Sequence, residues 1–262
     1  MSNEQKKFLR KRKKEKLFVI FIQVFIILAF FTLWEYLSNK NIINSFIFSS
    51  PSKVFSTIIG LIESNNLFPH ILTTLYEIFI AFFIGIILSF VIAIILYQFP
   101  IVEKIADPFL TMLNSLPKVA LGPLIIIIVG ANTKSIITMA LLINLIVTTI
   151  TIYTGFLNTD ECKIKLLKSF GATKIQILTK LVIPGSYETI ISSLKLNISM
   201  TLIGVIMGEF LVSKKGIGYL IIYGTQVFNL SMVMSGILIL IILSYLMYLI
   251  VGYIEKILIK NN

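Results

Sequence analysis

The sequence is short of the residues that most active sites need. A single cysteine, Cys162, excludes an internal disulfide and makes a thiolate metal cluster implausible. A single histidine, His70, leaves nothing to pair with for a histidine-based catalytic or metal site. Aspartate occurs only at Asp107 and Asp160, and neither lies in a catalytic cluster. No catalytic residue and no metal ligand is therefore assigned. A Walker-type phosphate loop is absent, and Gly216-Ile217-Gly218 lacks the third glycine of a dinucleotide fingerprint, so any ATP is used by another chain. An intramembrane lipid-modifying enzyme, one alternative for so apolar a chain, lacks its paired carboxylates or metal site. An ion-coupled carrier, the other, commonly shows buried charges and internal repeats, and neither is evident.

Charge is scarce too, at 13% of residues against roughly a quarter in soluble domains. What fills the chain is apolar: 57% of its 262 residues are hydrophobic and its mean hydropathy is +0.96. This is the composition of an all-α integral membrane protein with little room for a separate soluble domain. A net charge of +11 would suggest nucleic acid in a soluble protein, but the cations here sit on a few flanks, which topology explains without nucleic acid.

The arm 1–16 carries Lys6, Lys7, Arg10, Lys11, Arg12, Lys13, Lys14 and Lys16, and an apolar run over 17–37 follows. The run is long and has no small-residue cleavage site, so it reads as an uncleaved first span with its basic end inside. A polar segment to residue 69 lies outside, with a short surface helix around 54–62. The second span, 71–98, holds Glu77, an ionisable residue that near a helix end meets water or a neighbour. After a turn at Phe99-Pro100, Pro117 and Pro123 break the helix of the third span, because proline removes a backbone donor and its ring clashes with the preceding turn. The fourth span, 135–157, has a small polar face of Asn144, Thr148, Thr151 and Gly155. The fifth, 187–212, repeats it with Ser193, Asn197, Thr201, Gly204 and Gly208. Such stripes serve tight helix packing or a substrate path, and a path wall is also a helix contact. Glu209, Gly216 and Gly218 follow, the glycines permitting a turn or re-entrant backbone. A sixth span covers 232–254. Cations of the arm, of the loop after span four, and Lys104, Lys256 and Lys260 outnumber the outside Lys40, Lys53, Lys134, Lys214 and Lys215, which puts both termini inside.

The loop between spans four and five, CKIKLLKSFGATKIQILTKLVIP, is amphipathic and basic. Ile164, Leu167, Phe170, Ile175, Leu178, Leu181 and Val182 keep helical spacing, Gly171 falls at a helix C-cap, and Pro184 closes the second run. Lys163, Lys165, Lys168, Lys174 and Lys180 take other faces. The segment reads as two short helices that either rest on anionic lipid or dock a partner from the cytoplasm.

Three ordered motifs resemble type I ABC importer permeases, most closely the nitrate/sulfonate/taurine branch. Gly171-Ala172 and Leu181-Val182-Ile183-Pro184 match the family's coupling loop, although Lys165 stands where an acid is usual and Leu166-Leu167 replace two alanines. Pro117 to Leu124 matches its Pro-x-x-Ala-hydrophobic-x-Pro-Leu element. Glu209 with Gly216-Ile217-Gly218 matches its Glu-x6-Gly-hydrophobic-Gly. The resemblance implies six transmembrane helices with a cytoplasmic coupling-helix pair, a bacterial inner-membrane location, and the domain order 1–16 arm, 17–69 first span and external segment, 70–257 transport domain with coupling loop 160–184, and 258–262 tail. It further implies a permease homodimer with separate cytoplasmic ATPase subunits and an external substrate-binding protein, no cofactor in this chain, and a small solute such as a sulfonate, nitrate, taurine or vitamin precursor. Lys165, Leu167, Phe170, Gly171, Ala172, Ile175, Leu178 and Pro184 are then the ATPase-coupling residues. Asn144, Thr148, Thr151, Ser193, Asn197 and Thr201 are candidates for the translocation path.

Overall fold

The computed structural model describes residues 3–40, 42 and 49–260, without the side chains of 3, 4, 6–10, 259 and 260. The side chains of the cations Lys6, Lys7, Arg10 and Lys260, and the last two residues of the tail, thus lie outside what is described. Fourteen residue stretches are helical and none is a strand among those described: α1 (Asn3–Asn39), α2 (Pro51–Glu63), α3 (Leu67–Gln98), α4 (Pro100–Ser115), a 3-10 turn (Lys118–Leu121), α5 (Gly122–Val129), α6 (Thr133–Leu157), α7 (Glu161–Ser169), α8 (Lys174–Ile177), a π-turn (Leu178–Val182), a further turn (Ile183–Gly185), α9 (Tyr187–Val212), α10 (Ile217–Gln226) and α11 (Leu230–Lys260).

Among the described residues five helices are long and apolar enough to cross a bilayer: α1 from Lys11 onward, α3, α6, α9 and α11. The expected third span is the α4–α5 pair, bent by 91°. At about 1.5 Å per residue these arms are roughly 24 and 12 Å long, so neither alone covers the ~30 Å of hydrocarbon. Pro117 makes the break by holding Leu116 extended at φ −66°, ψ 141°. Pro123, expected to break the helix as well, instead sits in the first turn of α5, where its missing N–H would have had no partner. The boundary between basic arm and first span is one of composition only, since α1 runs through it unbroken. The short external helix is α2, capped by Ser50, whose hydroxyl accepts the Lys53 N–H at 3.3 Å.

The centre of the molecule is the crossing of α6 and α9, with α3 packed on both, α10 and α11 against α9, and α2 on α11. The approach is close because Gly204 faces Ala140: a Cβ there would lie 2.4 Å from the Ala140 Cα. Two apolar cores lie along this bundle. One joins Ile78, Ile136, Ile198, Val205, Ile217 and Ile221; the other joins Ala93, Ile152, Phe156, Ile177, Leu178 and Val182. α1 stands at the rim with its apolar stretch uncovered, as a lipid-facing helix does.

Contacts also order the two ends. Glu35, near the end of α1, accepts the Ser52 N–H at 3.0 Å, and Ser49 bonds Ser231 at the start of α11 at 2.9 Å. The start of α1 therefore lies at the same end as the finish of α11. Glu255 of α11 pairs with Lys195 near the start of α9, and Gln98 of α3 reaches Lys174. The start of α1, the finish of α11 and the α7–α8 elbow thus share one end of the bundle, and the α9–α10 connection holds the other.

Candidate functional site

The elbow is built from local capping signals. Asp160 caps α7 by accepting the Cys162 N–H at 2.8 Å. The helix ends in a Schellman motif around Gly171: Ala172 N–H reaches the Leu167 carbonyl at 3.0 Å and Gly171 N–H the Lys168 carbonyl at 2.9 Å. Gly171 sits at φ +78°, a conformation that side chains other than glycine's resist. Thr173 then opens α8 with a reciprocal capping box, Gln176 N–H to Thr173 Oγ at 3.3 Å and Thr173 N–H to Gln176 Oε1 at 2.8 Å. That Thr-x-x-Gln signal was present in the sequence and was overlooked.

Pro184 does not close the second helix, as its residue type suggested. The chain widens into a π-turn over Leu178–Val182, continues through Ile183–Gly185 and runs into α9 after Ser186, whose hydroxyl bonds the Gly155 carbonyl at 2.8 Å. Proline has no N–H to complete an α-helical turn, and the local π spacing accommodates it.

Burial divides the candidate coupling residues. Phe170 and Ile175 are 77% and 69% exposed, and Leu166, not among the candidates, is 55% exposed. Leu178 is only 5% exposed, and it packs with Ile177, Val182 and Phe156, with Leu167 and Ala172 against the same cluster. Leu178 therefore anchors the elbow to α3 and α6 and has no surface left for a partner, while Leu167 packs on the same cluster with part of its side chain still exposed, a division that helical periodicity alone could not supply. Lys165 is exposed and pairs with Glu161 at 3.4 Å, an i,i+4 pair of little energetic weight.

Four of the six residues proposed for a path meet one another. Asn144 Nδ2 donates to Thr201 Oγ at 2.6 Å and to the Ala81 carbonyl at 3.4 Å; Thr201 Oγ donates to Asn197 Oδ1 at 3.3 Å; Asn197 Nδ2 donates to Thr148 Oγ at 3.1 Å. All four are wholly buried, and Ser193 is buried as well, its hydroxyl bonding the Ile190 carbonyl at 2.6 Å. Thr151 is half-buried and bonds the Val147 carbonyl at 2.9 Å. In this chain and conformation the stripe is a polar seam between α6 and α9, closed to solvent.

At the far end, Glu209 organises the Gly-x-Gly element. Its Oε2 accepts the Gly218 N–H at 2.5 Å and its Oε1 the Thr74 hydroxyl at 2.6 Å. Thr74 Oγ in turn accepts the Ile217 N–H at 2.8 Å, and His70 Nδ1 the Gly216 N–H at 2.9 Å. Three polar side chains from α3 and α9 thus satisfy the three amides that open α10, with a carboxyl at the positive end of the helix dipole. Gly216 allows this at φ +115°, and any Cβ there would lie 2.4 Å from the Glu209 carboxyl carbon. Glu77 lies one turn along α3 beside Glu209 and is fully buried; of the two expectations, water or a neighbour, the structure gives the neighbour, and it is another carboxyl. Sequence reasoning also missed Lys195, which pairs with Glu255 and lies 5.5 Å from the centre of the Tyr248 ring.

Residues 85–260 match the family described as binding-protein-dependent transport system inner membrane component. The formylaminopyrimidine transport permease of Halalkalibacterium halodurans is 27% identical, over 73% of this chain and 76% of its own length. A putative aliphatic sulfonates transport permease of Bacillus subtilis is 24% identical, over 87% of this chain and 83% of its own. Among solved structures, the MetNI methionine ABC transporter in inward-facing conformations superposes with a TM-score of 0.63 at 18% identity, covering 71% of this chain and 93% of that one. That likeness is one of fold.

Proposed function

Because the chain belongs to the family of binding-protein-dependent transport system inner membrane components, we propose that its elbow is the handle by which a cytoplasmic ATPase moves it. The chain is a membrane-spanning permease subunit of an ABC importer, not an enzyme in its own right. The observation behind the docking role is the division of the elbow: Ile177, Leu178 and Val182 fasten it to α3 and α6, while Phe170, Ile175 and Leu166 stay uncovered at its tip. A push on the tip is therefore delivered to α3 and α6, and α6 is one wall of the polar seam. ATP-driven closure of two ATPase subunits would shift the permease between outward and inward openings, a change in population between packed states.

The rest of the assembly follows from the same reading. A second copy of the chain completes the path, an external binding protein delivers the solute, and this chain holds no cofactor. The shared end of termini and elbow is the cytoplasmic face of a bacterial inner membrane, where the lysines of 160–184 and the basic arm belong. The seam of Asn144, Thr148, Asn197 and Thr201 is the surface over which α6 and α9 shift, and half-buried Thr151 is the residue placed to line the path when they part. The solute is small, in the class of sulfonates, nitrate, taurine or vitamin precursors; the relatives named for aliphatic sulfonates and for formylaminopyrimidine support a small solute of this kind.

The test is copurification. The double variant Phe170→Asp, Ile175→Asp is expected to lose its ATPase subunit in detergent and to abolish uptake in cells, while eluting as a monodisperse permease. Normal uptake with the ATPase still attached would refute the handle.

A further inference from the structure

The elbow's charge says what kind of surface it fits. Between residues 160 and 184 stand five lysines and two acids. Both acids are occupied inside α7: Asp160 caps the Cys162 N–H at 2.8 Å, and Glu161 holds Lys165 at 3.4 Å. Lys163, Lys168, Lys174 and Lys180 are exposed. Two of them converge. Lys168, at the end of α7, and Lys174, at the start of α8, line one cleft of about 140 Å³ with Tyr97, Gln98, Pro100, Ile164 and Ile177. The cleft bridges the Gly171 corner, because its lysines come from opposite sides of that hinge and its floor from the end of α3.

Resting on the docking reading above, we propose that this cleft receives a carboxylate side chain of the ATPase, whose groove is acidic where it surrounds Phe170 and Ile175. A carboxylate there would face both ammonium groups with the Gln98 amide nearby, in a recess whose apolar walls strengthen the attraction relative to open water. It would also tie α7 to α8 across the only left-handed residue of the elbow, fixing the angle at which the elbow transmits a push. The polar partner and the apolar partner are then separate features of one surface: Phe170 and Ile175 supply contact area, Lys168 and Lys174 supply register and polarity. Rim charges of this kind set partner choice and salt dependence more than total affinity.

The full-length permease is reconstituted in nanodiscs of phosphatidylcholine alone and, separately, of phosphatidylcholine with phosphatidylglycerol. Binding of its copurifying ATPase subunit is then titrated at low and high KCl. Charge reversal by Lys168→Glu with Lys174→Glu is expected to weaken ATPase binding by about tenfold or more in both lipids, and to flatten the salt dependence. The reversal Lys214→Glu, in the α9–α10 connection at the opposite end of the bundle, is expected to change it less than about threefold. An ATPase affinity within about twofold of the parent for the Lys168/Lys174 variant overturns the carboxylate while leaving the handle standing. A loss seen only in phosphatidylglycerol discs overturns it in favour of a lipid phosphate. Retained ATPase binding by Phe170→Asp, Ile175→Asp would instead refute the handle, and the cleft's role with it.

Discussion

Replacing Glu209 by alanine removes the one side chain that ties α9 to the start of α10 and to α3 at once. Two hydrogen bonds disappear, from the Gly218 N–H at 2.5 Å and the Thr74 hydroxyl at 2.6 Å. Each is worth about 1.5 kcal/mol when the acceptor is a carboxyl group, so the loss is about 3 kcal/mol before any relaxation. The Gly218 amide is also left buried beside Ile217 and Leu220, where water does not replace the lost acceptor. For a chain of this size that corresponds to a fall in Tm of roughly 6–12 °C. Glutamine at 209 keeps one acceptor oxygen and turns the other towards a donor, so about half the effect is expected from Glu209→Gln. Fluorescence-detected size-exclusion chromatography of heated, detergent-solubilised permease measures both. The double variant with Thr74→Val is the sharper check, because the two side chains share one hydrogen bond and their effects should fall short of additive by about 1 kcal/mol. A Glu209→Ala melting point within about 2 °C of the parent, or strict additivity with Thr74→Val, would refute the lock.

Two further substitutions probe the helix crossing with the same melting assay. Gly204→Ala pushes a methyl to 2.4 Å from the Ala140 backbone and forces α6 and α9 apart, so a loss of about 2 kcal/mol is expected; Gly60→Ala in α2 meets nothing within 4 Å and should stabilise by about 0.5–1 kcal/mol through helix propensity. Equal shifts of one sign at both positions would show that the crossing is looser than described. Asn144→Ala should cost about 1–2 kcal/mol by cutting the donor to Thr201 at 2.6 Å, and an unchanged melting point would mean the seam is not held by that bond.

The motifs of the chain foretold different amounts of structure. The glycine corner at Gly171 and the break at Pro117 were visible because backbone chemistry acts locally: φ +78° and a missing N–H carry the same meaning in any surroundings. Pro123 and Pro184 carry the same chemistry, yet neither stops a helix, because one begins a turn and the other is absorbed by π spacing. Periodicity picked out an apolar face on the elbow, but it could not say that Leu178 turns to the bundle while Ile175 turns away. Those two are separated only by which neighbouring helix lies within reach. The pairing of Glu77 with Glu209 was equally hidden, since 132 positions separate them and only the packing of α3 on α9 brings them together.

Composition and hydropathy alone therefore determined that this is a helical membrane protein, and local motif chemistry that it carries a basic, glycine-cornered elbow, since transfer of apolar residues from water is additive along the chain and needs no knowledge of neighbours. Tertiary structure decided which side chains of the elbow are left for a partner and that the polar stripes of α6 and α9 close on each other. It also decided that Glu209 holds the start of α10. Burial and hydrogen bonding are relations between segments distant in sequence, and they exist only once the helices have met.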